Sequence, residues 1–537
     1  MKKAGSKKEL KIAEGILLAF TILMPLFQAA FIALFRVLVT KSDPFPGIVW
    51  NDEAVYLKLI ENYAKFVNPL GYWGFDGNHA ILGNGPAWSP AIILPYAFLA
   101  KIFPAGMHFV FFCNLFFLIS ANGIFCLFAK PKRDECINLI GFQVVSVPVI
   151  LYLCTNMSEL FRYGIAIVLA GMLYYLYNVR DREKTEGRGK VWKNILSYAV
   201  IPLFILYSVQ VYTFFAFAVP LYVCALLKEK KGYVRFLVSL PVTGVVAFGS
   251  YYFLHLISSN YNIGKSELLL NALKGGDFPG AVKSFLFMMK EGASGIFYLK
   301  NYVTSMPLYP FSVVLALILT GVGIFLAVWG KNVPEKIGDL YIGRMVAHSV
   351  PLFYLMYMTL YTIVPDTFYR GTQIVILFSF WLLAMSKREY LVRFLLLFSI
   401  LGIFFARPQY RIFEEHHYET SQTKEEWRAL RDDLGDVMEV RPDGSLWENT
   451  VLMYTMEPKA ILAIPTGFAE NFVLTDGTFT TEPSWLFFSK ADPNECDPAW
   501  VVHSHESVFA DNKEEFEKNY IVIYENDDYI LYRKGKE

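Results

Sequence analysis

The sequence predicts a polytopic α-helical membrane protein of about eleven spans, N-terminus inside, followed by a small mixed α/β domain on the outer side. Three observations predict this. Charged residues make up 18% of the 537-residue chain, against about 25% in soluble proteins. The deficit is concentrated in apolar blocks of roughly 16–25 residues, the length that crosses a hydrocarbon core. The Lys/Arg-rich loops fall on one side when the blocks are threaded alternately through a membrane.

The chain opens on a basic stretch, Met1–Lys11, and an apolar run from Ile12 to about Val39. That run is too long for a cleavable signal peptide and no convincing cleavage site follows, so it is expected to remain as the first helix. The expected spans are Ile12–Leu38, Met107–Ala129, Ile137–Cys154, Tyr163–Val179, Ile195–Val209, Tyr212–Leu227, Phe236–Ile257, Leu308–Trp329, Val346–Val364, Thr372–Ser386 and Phe394–Ala406. The N-terminus and the short loops Lys130–Glu135, Arg180–Lys193, Lys228–Arg235, Lys331–Arg344 and Lys387–Arg393 are dense in Lys and Arg. The positive-inside rule places all six in the cytoplasm. An odd number of spans then puts the chain after Arg407 outside, which divides it into a membrane domain, 1–407, and an outer domain, 408–537.

Three outer pieces stand out. The first is the loop 40–106. Within it Tyr56, Leu59, Ile60, Tyr63 and Phe66 share one helical face, and Lys58, Glu61, Asn62 and Lys65 the other. This is the pattern of an amphipathic helix lying in the membrane interface. Ala91–Phe103, interrupted by Pro95, is expected to be a second surface helix. The second piece, 258–306, holds glycine-rich turns and five lysines. The third is the tail, where "VLMYTM", "ILAIPT", "WVVHSH" and "YIVIYENDDYILYRK" read as strands, the last a hairpin turning near Glu525–Asp528, and "TKEEWRALRDDLGDVM" as a helix.

The balance of charge excludes little but gives no electrostatic reason for a nucleic-acid partner: the net charge is +1. Five of the six cysteines lie in or beside apolar blocks, and only Cys496 falls in the tail. A disulfide framework or a cysteine zinc site there is not expected. The clusters "EEHHYE" (Glu414–Glu419) and "HSHES" (His503–Ser507) hold metal-ligand residue types without a convincing ligand set.

The chemistry is sought in the outer loops. Asp52 and Glu53 follow the first span directly. Asn51 or Asp52 also fits a helix cap, with Glu53 in the first turn favoured by the helix dipole. "TNMSELFRYG" supplies Glu159 and Arg162, either a local i,i+3 pair or functional groups at the membrane edge. "PDTFYRGTQ" presents Arg370, a topological anchor or a phosphate ligand whose fork binds two oxygens. His79, in "GFDGNHAILGNG", is an incidental loop histidine or a sugar-binding or proton-transfer group. Lys300, in "FYLKNYVTS", is a further candidate for phosphate contact.

An acidic pair written "DEAVY" (Asp52–Tyr56), a surface helix after it, the stretch "GPAWSPAIILPYAFLAKIFP" and many spans together resemble the GT-C superfamily. Its members include protein O-mannosyltransferases and aminoarabinose transferases. The place of that family's "PPL"-like start is taken here by "AWSPAI". The resemblance implies a GT-C-like fold, an acidic pair in the first outer loop, a second acid in the next, and a cation late in the chain that meets the lipid phosphate. It implies a polyprenyl-phosphate sugar as donor and a glycan, lipid or protein hydroxyl as acceptor, at the surface of the membrane lipids.

On that reading Asp52 is the general base. Glu53 or Glu159 positions acceptor, sugar or a divalent cation. Arg370, with Arg162, stabilises the departing phosphate, and Tyr56, His79 and Lys300 line the substrate. One-step displacement inverts the anomeric carbon. Two rivals remain: a polysaccharide polymerase or ligase, which would place basic residues in large late loops, and a lipid-linked glycan transporter, which would need charges or broken helices at mid-membrane. A non-catalytic scaffold displaying the tail would bind no such donor.

Overall fold

The computed structural model describes residues 2–48, 50–66, 73–74, 89–180, 188–257, 264–297, 307–333, 336–360, 365–417, 420–439, 449–453, 455, 457–472, 499–504, 518 and 520–535. The protein is mostly helical. Helix α1 (Lys2–Phe35) runs on through a π-helical turn to Thr40, and α2 (Asn51–Phe66) and α3 (Pro90–Ala100) follow. Next come α4 (Phe109–Ala129), α5 (Arg133–Val144) and α6 (Val147–Tyr152); α7 (Glu159–Tyr174) continues as a π-helical turn to Val179. Helices α8 (Arg188–Ile195) and α9 (Ile201–Val211) join through a π-helical turn, and a 3-10 turn leads into α10 (Ala218–Leu226). The chain goes on through α11 (Gly232–Ile257), α12 (Gly264–Lys274), α13 (Phe278–Phe297), α14 (Leu308–Asn332), α15 (Ile337–Leu360), α16 (Pro365–Ala384) and α17 (Glu389–His417).

Each of the eleven apolar segments coincides with helix over most of its described residues. Seven helices among the described residues are long and apolar enough to cross a membrane: Lys11–Thr40, Phe109–Ala129, Glu159–Val179, Gly189–Val211, Gly232–Ser250, Leu308–Asn332 and Glu389–Pro408. Thr213–Leu226 and Tyr369–Ala384 are apolar but shorter. The segment from Ile137 to Cys154 is not one helix. It breaks at Val145–Ser146, because Pro148 opens the next helix and cannot continue the previous one. Helices α14 and α15 pack backbone to backbone: a Cβ on Gly343 would lie 2.4 Å from the Ala327 nitrogen. Small residues let these two backbones meet, as in membrane helix pairs generally. Helices α12 and α13, within the segment of glycine-rich turns and lysines, form a hairpin around Leu269, Ala281 and Met288.

The tail holds α18 (Thr420–Val437), α19 (Pro458–Ala463) and strands β2 (Thr450–Met453), β3 (Ala469–Phe472), β4 (Trp500–Ser504), β5 (Tyr520–Glu525) and β6 (Tyr529–Lys534). A two-residue strand, β1 (Trp73–Gly74), reaches them from the first long loop. The sheet order is β1-β3-β2-β4-β6-β5, parallel from β1 to β4 and antiparallel across β6 and β5. The hairpin turns at Asn526–Asp528, where the Asn526 carboxamide oxygen accepts from the Asp528 and Tyr529 N–H groups. One strand assignment is corrected. "ILAIPT" contributes Ile461–Ala463 to helix α19, which Pro458 opens in the first-turn position where its missing N–H costs nothing.

The expected water-facing side of α2 is also corrected. Lys58 is 2% exposed, and Asn62 and Leu59 are buried too. The polar face is covered by the tail. Lys58 Nζ donates to the Ile464 carbonyl, Gly467 N donates to Asn62 Oδ1 at 2.9 Å, and Arg431 Nη2 meets Glu61 Oε2 at 3.1 Å. Helix α2 therefore turns its polar face to the tail, while Tyr56, Ile60 and Tyr63 on the other face are buried.

Candidate active site

The first turn of α2 carries two acids with different surroundings. Glu53 is fully buried. Its oxygens accept from two backbone N–H groups, Trp50 at 3.1 Å and Asn156 at 2.8 Å. The first bond reaches back three residues and ends the helix as half of a capping box. The second fixes the loop before α7. Asn156 extends that join: its Nδ2 donates to the Pro46 and Gly47 carbonyls at 3.1 and 3.0 Å, and its Oδ1 accepts from Phe111 N at 3.1 Å. Helices α2, α4 and the start of α7 are thus pinned together by Glu53 and Asn156.

Asp52, one residue earlier, is 28% exposed at its side chain and points to a different partner. Its Oδ2 lies 3.6 Å from Arg370 Nη1. The same Nη1 lies 3.4 Å from Glu159 Oε1, a carboxylate only 1% exposed. Arg162 Nη1 lies 3.5 Å from that oxygen. Two carboxylates and two guanidiniums from α2, α7 and α16 so form one cluster of balanced formal charge.

The contacts are longer than the 2.7–2.9 Å of a locked charge-assisted bond. Arg370 sits between the two acids at these distances. Glu159 Oε2 and Arg162 Nε are buried and have no hydrogen-bond partner among the described residues. Groups left this way cost free energy until something binds them.

Aromatic residues hold the cluster. The Arg162 guanidinium lies 5.1 Å over the Tyr212 ring. Tyr163 donates its hydroxyl proton to the Arg370 carbonyl at 3.3 Å, tying α7 to α16. A Cβ on Gly371 would come within 3.1 Å of the Tyr212 hydroxyl, so glycine there keeps room for that ring. Tyr56, one turn along α2 from Asp52, is buried. Burial, and then the nearby Glu159 charge, push its phenol well above the usual tyrosine range, with Arg162 opposing them. It stays a neutral hydroxyl at any physiological pH.

The structure therefore brings together Asp52, Glu159, Arg162 and Arg370, with Tyr56 inside their field. Glu53 stands beside them as a tether of backbone. His79 and Lys300 lie outside the described residues, as do the side chains of Glu414–Glu419 and His503–Ser507. Sequence reasoning missed Asn156, Tyr163 and Tyr212. Tyr163 and Asn156 sit within the singled-out "TNMSELFRYG", but Tyr212 carried no signal. A divalent cation does not fit the cluster well: Arg370 occupies the space between the two carboxylates, and no group of three His, Cys, Asp or Glu ligands is found among the described residues.

What the fold and cluster define is a helical membrane protein with an acid–arginine cluster where α2, α7 and α16 meet. No family model matches the sequence, and no curated protein matches it. Solved structures similar to it include an Archaeoglobus fulgidus oligosaccharyltransferase with Zn and sulfate: 13% identity, 91% of this chain and 68% of that one covered, TM-score 0.47. ArnT from Cupriavidus metallidurans bound to undecaprenyl phosphate is 10% identical, with 95% and 99% covered and a TM-score of 0.42. AglB from A. fulgidus with an inhibitory peptide and a dolichol-phosphate is 12% identical, with 90% and 70% covered and a TM-score of 0.41. These neighbours are GT-C membrane glycosyltransferases. Likeness of this degree assigns no activity, and the functional reading stands on the cluster.

Proposed function

We propose that this chain is a multi-pass membrane glycosyltransferase that moves a hexosyl or pentosyl group from a polyprenyl-phosphate donor to an acceptor hydroxyl at the outer membrane face. All eleven apolar segments are taken to cross, with the N-terminus in the cytoplasm and residues 408–537 outside. One observation carries the reading: Asp52, Glu159, Arg162 and Arg370, spread over 318 positions from 52 to 370, meet within ion-pair distance.

The cluster suits one reaction. Asp52, the more exposed acid, takes the proton of the acceptor hydroxyl. The acceptor oxygen bonds to the anomeric carbon as the bond from that carbon to the phosphate oxygen breaks, and the electron pair leaves on the lipid phosphate. Arg370 and Arg162, loosely held, shift onto the phosphate oxygens as their charge grows. Glu159, buried between them, holds both arginines in place and offers Oε2 to a sugar or acceptor hydroxyl. Glu53 positions the turn that carries Asp52. Attack opposite the leaving group inverts the anomeric centre.

The test is donor binding, which needs no knowledge of the acceptor. In lipid nanodiscs, a photoreactive polyprenyl-phosphate sugar is expected to label the parent protein and to label Arg370→Gln far less. Equal labelling of both would remove the phosphate assignment.

A further inference from the structure

The break between α5 and α6 lies beside a polar joint inside the bundle. Thr21 and Gln28 of α1 and Asn122 of α4 fall within segments long and apolar enough to cross a membrane, and all three are buried. Asn122 Nδ2 donates to the Thr21 carbonyl at 3.2 Å and to Gln143 Oε1 at 2.8 Å. Gln143 Nε2 donates to the same Thr21 carbonyl at 3.0 Å, and Gln28 Nε2 to the Gln143 carbonyl at 2.8 Å. A carbonyl can only accept, so Thr21 fixes which way the Asn122 and Gln143 amides are turned. The end of Asn122 left over is its acceptor, Oδ1.

Asn122 is 0% exposed and Ser146 3%, and neither Asn122 Oδ1 nor Ser146 Oγ has a hydrogen-bond partner among the described residues. With Gln143 they line one cavity, whose walls include Phe142, Phe380 and Trp381. Every residue around it is buried, and it has room for about one water. Ser146 N donates to the Gln143 carbonyl at 3.2 Å, so Asn122 and Ser146 each stand one hydrogen bond from Gln143. Ser146 and Phe380 also belong to a second small cavity, with Ser312, Gln373 and Ser399 in its wall. The Ser399 hydroxyl proton goes to the Leu395 carbonyl at 2.7 Å, which leaves its oxygen able to accept.

We propose that Ser146 is the centre of a binding site for ordered water inside the bundle, with Asn122 on one side and Ser399 on the other. In the first cavity a water donates to Asn122 Oδ1 and accepts the Ser146 hydroxyl proton. In the second, a water donates to the Ser146 and Ser399 oxygens. Only a small guest that both donates and accepts fits the first cavity, and neither wall holds a charged side chain to attract an ion. Cavities that stay empty are apolar, and a polar atom stranded among apolar neighbours is costly. Pro148, which opens α6, adds a reason for water here. Where proline interrupts a helix at membrane depth, hydroxyls and ordered water take up the freed backbone groups. The site is independent of glycosyl transfer, and stands if that reading fails.

The experiment exposes the full chain in nanodiscs to a millisecond X-ray pulse, which makes hydroxyl radicals from water wherever it sits, and reads oxidation by peptide mass spectrometry. Phe380 and Trp381 are expected to be oxidised at least tenfold faster than Phe215, which is as buried and lines neither cavity. After dilution into isotopically heavy water, the label should enter the Trp381 products more slowly than those of the exposed Trp192, as held water requires. Ser146→Ala removes the hydroxyl common to both cavities. It should cut oxidation of Phe380 and Trp381 at least threefold and lower the melting temperature, whereas loss of a hydroxyl from a dry cavity would raise it. The parent pulse decides the question even where that variant does not fold. Three results overturn the proposal: oxidation of Phe380 and Trp381 no faster than of Phe215, isotope entry at Trp381 as fast as at Trp192, or a Ser146→Ala protein that is oxidised within threefold of the parent or does not melt lower.

Discussion

Replacing Arg370 by glutamine removes the cation 3.4 Å from Glu159 Oε1 and 3.6 Å from Asp52 Oδ2. At an effective dielectric near 20, each contact is a gross attraction of about 5 kcal/mol before desolvation is subtracted. Leaving a buried carboxylate alone costs about 3–5 kcal/mol. Glu159 keeps Arg162 at 3.5 Å, so a loss of about 2 kcal/mol is expected from stability. The rate should fall further. Removing one donor that meets developing charge costs about 100- to 1000-fold.

A second substitution separates the two effects. Glu159→Gln/Arg370→Gln removes the central acid and its arginine together but takes the carboxylate from Arg162, so it should regain only part of the lost stability and none of the rate. Thermal unfolding in nanodiscs reads the first quantity. Release of polyprenyl phosphate from a labelled donor, supplied with total envelope glycans, lipids and proteins as acceptors, reads the second. Transfer by Arg370→Gln within threefold of the parent would refute the role given to this arginine. So would full recovery of rate in the double variant.

Other outcomes are expected from the same geometry. Asp52→Asn keeps shape but removes one of the two acids beside Arg370, which retains Glu159, so melting should fall only slightly while transfer drops at least ~100-fold; parent-like transfer removes the base. Glu53→Ala leaves two buried N–H groups without their carboxylate, and charge-assisted bonds are worth about 1.5–3 kcal/mol each. It should unfold several degrees lower, and an unchanged melting temperature would contradict the tether. Glu61→Arg and Arg431→Glu should each loosen the tail, seen as faster proteolytic release of residues beyond 417, and the two together should restore it; the partly exposed pair is worth about 1 kcal/mol. Gly343→Leu places a side chain where the Ala327 backbone lies, and should abolish the monodisperse peak in detergent chromatography.

Much of this arrangement was legible in the sequence, and the failures have physical causes. Apolar length placed a helix at each of the eleven segments, because hydrocarbon admits few other backbones. Asp52, Glu159, Arg162 and Arg370 were each visible as charges at the ends of such segments, where charge needs a reason. Their meeting was not visible, since it depends on how α2, α7 and α16 pack. The run "ILAIPT" misled because a short apolar stretch looks alike in a strand or a buried helix; Pro458 was the signal that would have decided it. The polar face of α2 misled for another reason. Its amphipathic pattern is real, but Lys58 and Asn62 find their partners 406 and 405 residues away, beyond the reach of any local pattern.

The pairing of Trp73 with Glu470 has a consequence for how the molecule comes into being. A ribosome reaches the second residue some 400 positions after the first, about 20–80 s later at common elongation speeds. For that interval the Ile464 carbonyl and the Gly467 N–H are not yet there to meet Lys58 and Asn62, and the polar face of α2 lacks its cover. Under the proposed function, competence is therefore acquired at the close of translation, and a prematurely terminated chain is expected to be inert even though it already contains every residue of the acid–arginine cluster.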